Sequence, residues 1–151
     1  MQKIKPCLWF DDRIEEAVKF YTGLFKNSRI LETSHYPDGR VLVIVFEIDG
    51  EEIMALNGGP EFKFTEAVSL FVDCEDQAEV DRYWNALTAD GGKESQCGWL
   101  KDKYGLSWQI VPNAMSRYLG GNDKAGAARA MQAMMKMSKI VLADLEKAYA
   151  G

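Results

Sequence analysis

Side chains that do chemistry near neutral pH are scarce in this chain. His35 is its single histidine, the one side chain whose ordinary pKa lies close to neutrality. It stands beside Tyr36-Pro37-Asp38-Gly39, a turn signal, where a histidine is ordinarily solvated. The thiols are Cys7, Cys74 and Cys97. A Cys–His nucleophile would need Cys7 or Cys97 against His35, and no local pattern joins them. A small apolar role suits both cysteines better. An odd cysteine count without Cys-x-x-Cys spacing builds neither a disulfide framework nor a zinc site, and it fits a reducing cytoplasm.

What must position any site is a single domain of 151 residues, 47% hydrophobic and 27% charged. Its net charge of −5 and scattered lysines and arginines leave no footprint for nucleic acid. The opening MQKIKPCLWFDD reads as neither a signal peptide nor a span, and no apolar run is long enough for a membrane helix.

The chain repeats itself. Cys7-Leu8-Trp9-Phe10-Asp11 returns as Ser69-Leu70-Phe71-Val72-Asp73, 62 residues later, each a short apolar run ending in an acid. Ala17, Phe20-Tyr21 and Leu24 then return as Val80, Tyr83-Trp84 and Leu87. Both second segments carry one apolar stripe at helical spacing, and each opens with Asp-x-x-Glu, at Asp12 and at Asp76. Strands follow each helix: Arg29–Thr33, Val41–Ile48 and Glu52–Leu56 in the first half. The second half has a weak strand after Gly91-Gly92, then Gly98–Lys101 and Leu106–Pro112.

The predicted fold is therefore α+β, with two βαβββ modules at residues 1–57 and 67–112 joined by a hinge over 58–66. A helical tail occupies 113–151, where the periodicity predicts one long helix from Lys124 to Tyr149. Its stripe of Ala127, Met131, Met134, Met135, Leu142, Leu145 and Tyr149 needs a covering surface, either its own sheet or a second subunit.

Paired βαβββ modules resemble the vicinal oxygen chelate superfamily of glyoxalase I, extradiol dioxygenases and fosfomycin-resistance proteins. Cys7–Asp11, Ala55–Pro60, Ser69–Val72, Glu79–Trp84 and Cys97–Pro112 are similar to its PhnB-like branch, labelled 3-demethylubiquinone-9 3-methyltransferase, and the likeness extends through the Met-rich tail. Metal-dependent members hold one divalent ion between two histidines and two Glu or Gln residues, leaving open positions for substrate oxygens. Carried onto this sequence, those positions fall at Lys5, Ala67, near Met54, and at Gln109. Only Gln109 offers a ligand oxygen, so neither a metal nor another cofactor is expected. The methyltransferase label finds no support in Asn57-Gly58-Gly59-Pro60, which reads as a hinge rather than the Gly-rich turn that opens a nucleotide-binding helix.

If Lys5 and Gln109 face the cup that the resemblance implies, strand alternation turns Cys7, Trp9, Ser69, Phe71, Ser107 and Val111 toward it, with Ala67. Trp99 and Asn57 join at the rim. Leu8, Phe10, Leu70, Val72, Trp108 and Ile110 then face the helices. An aromatic wall carrying a few polar groups is the usual lining of a small-molecule pocket. The expectation is a cytoplasmic homodimer that binds a small molecule without the superfamily's metal. A metal enzyme with atypical ligands and a non-enzymatic interaction protein are the alternatives.

Overall fold

The structure, a computed structural model, describes residues 2–151. The chain divides into two units, Met1–Phe64 and Thr65–Gly151. In the first, β1 (Cys7–Phe10), α1 (Ile14–Leu24), β2 (Arg29–His35), β3 (Val41–Ile48) and β4 (Glu51–Asn57) form one sheet in the order β1-β4-β3-β2. β1 runs parallel to β4, and the other pairs are antiparallel. The second unit repeats the plan with β5 (Ser69–Cys74), α2 (Gln77–Thr88), β6 (Lys93–Glu94), β7 (Trp99–Lys101) and β8 (Ser107–Pro112), ordered β5-β8-β7-β6. The α+β fold of two βαβββ modules is the one read from the sequence.

Each helix covers one face of its own sheet, and period-2 alternation decides which strand residues it buries. Ile14, Ala17, Val18 and Tyr21 of α1 are buried with Leu8, Phe10, Ile44, Phe46, Ile53 and Ala55. In the second unit Val80, Tyr83, Trp84 and Leu87 of α2 are buried with Leu100, Trp108 and Ile110. That leaves the odd-numbered residues of β1, β5, β7 and β8 on the opposite, open faces.

The two helix starts differ, although both open with Asp-x-x-Glu. Asp76 caps α2 by accepting the Glu79 N–H at 2.8 Å, and Glu79 accepts the Glu75 N–H at 3.3 Å. At α1 the cap position falls instead on Arg13, in the left-handed region at φ 75°. Asp12 accepts the adjacent Arg13 N–H, and the Ile14 N–H is satisfied by Asn57 Oδ1 at 3.2 Å. A side chain from β4 replaces the local cap that the sequence pattern promised.

The predicted long helix is a hairpin of two: α4 (Lys124–Met135) and α5 (Leu142–Ala150), preceded by a short α3 (Met115–Leu119) that periodicity did not mark. The break at 136–141 has a cause. The carbonyls of Met137 and Ser138 accept the N–H groups of Cys97 and Gly98, both at 2.8 Å, so they are diverted from a helix ladder. Gln77 locks the same segment to α2, donating to the Ile140 carbonyl at 2.9 Å and accepting the Leu142 N–H at 2.8 Å. Ile140 and Leu145 are fully buried, so part of the tail's stripe packs on its own unit, while Met131 and Met135 stay exposed.

Candidate functional site

The strand pairings place Ser69, Phe71, Trp99, Ser107 and Gln109 on one face, that of the second sheet turned away from α2. Ser69 pairs with Ser107, Phe71 with Gln109, and Trp99 with Gln109. Gln109 thus sits between two aromatic side chains, and its Nε2 donates to Ser69 Oγ at 3.0 Å. Phe71 is 54% exposed, an unusual position for a phenyl ring in the middle of a strand. Val111, the same face's next residue, lies with Phe71 and Asp73 in a groove of about 500 Å³ against α3. Ser107 is 1% exposed, and among the described residues its hydroxyl has no hydrogen-bond partner. It lines a cavity of about 260 Å³ with Trp99, Lys101, Lys93 and Glu66.

Cys7 and Trp9 share the open face of the first sheet, opposite Met54 and Leu56. Trp9 is spent on the fold: its Nε1 donates to the Gly59 carbonyl at 2.9 Å, and its ring packs edge-on against Phe62 at 5.0 Å. A Cβ at Gly58 would lie 2.3 Å from that ring, so Gly58 is glycine to admit the indole. Asn57 is on the other face. Its Oδ1 caps α1, its Nδ2 donates to the Val41 carbonyl at 3.0 Å, and its own carbonyl accepts from Tyr36 Oη at 2.8 Å. With Tyr36 and Arg40 it borders a polar cleft of about 660 Å³ rather than the face that carries Trp9.

The superfamily's divalent ion does not fit the side chains present. Lys5 Nζ lies 3.2 Å from Glu52 Oε2, an ion pair with the two side chains 21% and 14% exposed, so the first-strand position is held by a cation. The repeat equates Trp9 with Phe71, and their partners are Leu56 and Gln109; register therefore moves the fourth-strand position from Met54 to Leu56, which is equally unable to ligate. Ala67 carries no donor, and no group of three or more His, Cys, Asp and Glu side chains among the described residues could hold a metal.

Two of the three thiols are also poorly set for nucleophilic work. Burial pushes the Cys7 thiol above its ordinary value, and it pushes Cys74 up to about 12. His35 is exposed at the end of β2, while Cys7 is on β1 at the far edge of the same sheet, at least about 14 Å away across three strand spacings.

Lys93, Lys101 and Glu66 were not singled out from the sequence. The signal was present only in two dimensions: Lys101 alternates with Trp99, but its place beside Ser107 requires the β7–β8 register.

Residues 2–111 match the family model described as 3-demethylubiquinone-9 3-methyltransferase, which leaves the Met-rich tail outside the likeness rather than within it. A Bacillus cereus PhnB protein carrying the same family's name is 36% identical with a TM-score of 0.68, covering 74% of this chain and 99% of that one. A Pseudomonas aeruginosa protein is 18% identical (TM-score 0.60; 74% and 98% covered). The fosfomycin resistance protein FosX of Listeria monocytogenes is 15% identical (TM-score 0.54; 75% and 93% covered). The last two share the fold alone. Among curated proteins none matches.

Proposed function

The chain belongs to the 3-demethylubiquinone-9 3-methyltransferase family, the PhnB-like branch of the vicinal oxygen chelate superfamily, and we propose that it binds a small organic molecule on the open face of β5–β8 without that superfamily's metal. One observation carries this reading: Trp99 and Phe71 flank the Gln109–Ser69 hydrogen bond on the face turned away from α2, with Phe71 half exposed at the groove beside α3. Aromatic surface around one fixed amide is how a pocket combines apolar affinity with a directional polar contact.

The family's descriptive name is a weak guide to the reaction. The chain's one Gly-Gly-Pro stretch serves the Trp9 ring and precedes a linker, not a helix. No helix of the described residues is long and apolar enough to cross a membrane. We place the protein in the cytoplasm because its free thiols include an exposed Cys7, and we expect a homodimer because Ile4, Phe62 and Val68 are 87%, 58% and 63% exposed.

A thermal-shift screen of metabolites tests the binding reading, since a ligand of the native state raises the unfolding temperature. Ligands should stabilise the wild-type protein and lose that effect in Gln109→Ala. If no compound does so, the reading is wrong. Light scattering at micromolar concentration decides the dimer.

A further inference from the structure

Two registers on this sheet face differ in character, and together they specify a ligand class. One row, across β6, β7, β8 and β5, reads Lys93, Lys101, Ser107, Ser69, each directly paired with the next. The adjacent row reads Trp99, Gln109, Phe71. Like charges directly opposite on neighbouring strands are unfavourable, so the Lys93–Lys101 pairing favours a nearby anion. Glu66 supplies one, forming an ion pair with Lys101. That carboxylate is 63% exposed and comes from the segment before β5, and an exposed pair of this kind contributes little. Lys93 has no ion pair among the described residues, and the Ser107 hydroxyl, buried in the same cavity, has no partner. Glu94 also borders this cavity, but its carboxylate is engaged elsewhere, accepting the Trp84 indole N–H at 2.6 Å.

Resting on the small-molecule reading above, we propose that the ligand is an aryl or similarly apolar carboxylic acid. Its carboxylate takes the place of Glu66 on Lys101, accepts from Ser107 Oγ and is drawn by Lys93. Its ring lies over Trp99 and Phe71. The rows stand about 7 Å apart, two residues along a strand, which matches a ring joined to a carboxylate by two carbons. Glu66 is thus an internal stand-in that the ligand displaces.

Calorimetric titration of the full-length protein with 3-phenylpropionate, 3-phenylpropanamide and 3-phenylpropylamine decides the matter. The acid should bind at one site per chain, with the amide and the amine each at least about tenfold weaker. Lys101→Met and Ser107→Ala should each weaken the acid about tenfold, and Glu66→Gln should tighten it several-fold. Ser107→Ala removes an unsatisfied buried hydroxyl, so the unliganded variant should melt no lower than wild type, which separates lost recognition from lost folding. Equal binding of acid and amide, or an acid indifferent to Lys101→Met, would overturn the class while leaving a Gln109-dependent hit in the metabolite screen intact. Absence of binding by all three probes together with an empty screen would overturn both readings.

Discussion

Asp102 is 2% exposed, and a buried carboxylate is tolerated only when its lone pairs are occupied. Its Oδ1 accepts the N–H groups of Tyr104 at 2.9 Å and Leu106 at 3.1 Å, and its Oδ2 accepts the Trp108 indole N–H at 2.9 Å. The side chain therefore ties the β7–β8 turn to the core. Asp102→Asn leaves one oxygen for the turn and sets an amide donor against the indole donor, so it should cost about 1–3 kcal/mol in urea unfolding. Cys74 carries the residue-scale pH prediction. Burial raises its thiol from 9.0 to about 12. A group raised in the folded state favours folding below its unfolded pKa and loses that contribution as pH rises toward the folded value. Stability should therefore fall between about pH 9 and 12, by at most about 1.4 kcal/mol per unit from this group, and Cys74→Ala should flatten that slope in alkaline unfolding curves. Neither role could be read from residue type. The Asp102 carboxylate takes its place in the core from its bond to the Trp108 indole, six residues on.

At the scale of elements, strands and module helices were legible because their apolar periodicity is fixed by local geometry: β3 spans the expected Val41–Ile48, and both amphipathic stripes are buried. The tail misled for the same reason. Helical spacing continues from Ala127 to Tyr149, but a six-residue break inside it preserves the phase of the stripe. What opens the break is a contact distant in sequence, the Gln96–Gly98 loop taking carbonyls at 137 and 138. Asn57 taught a similar lesson, since it caps α1 from across the sheet where Asp12 was expected to cap it locally. The tail's attachment makes a prediction at this scale. Gln77 holds the end of the break, at Ile140 and Leu142, through one carboxamide, and Lys139 adds a 2.9 Å ion pair to Asp81. Gln77→Ala should speed amide exchange at 137–145 by about 5- to 30-fold, about 1–2 kcal/mol of local opening, while the β5–β8 amides keep their protection. Uniform acceleration across the unit would show that the clamp is part of the global fold instead.

For the molecule as a whole, the 62-residue repeat gave the fold, and the same repeat says which positions the superfamily's metal would need. Side-chain identity at those positions was readable early, whereas their spatial neighbours were not: the Lys5–Glu52 pair and the move from Met54 to Leu56 both depend on register. The consequence is testable. A divalent ion entering beside Lys5 would meet an ammonium already paired to Glu52, and it would have to detach that carboxylate and leave a partly buried cation behind. At Gln109 it would meet an amide already bonded to Ser69. Neither Leu56 nor Ala67 offers a compensating oxygen or nitrogen. Manganese at about a hundred times the dissociation constant of a real site would add about 2.7 kcal/mol. For a chain of this length that is a rise of about 5 °C or more in melting temperature. Titration to about millimolar manganese should instead leave the melting temperature within about 1 °C of the metal-free value, with chelators equally without effect. A rise of several degrees that disappeared in Gln109→Ala would place an ion on this face after all, and the ligand class argued from Lys101 and Ser107 would then have to share the site with it.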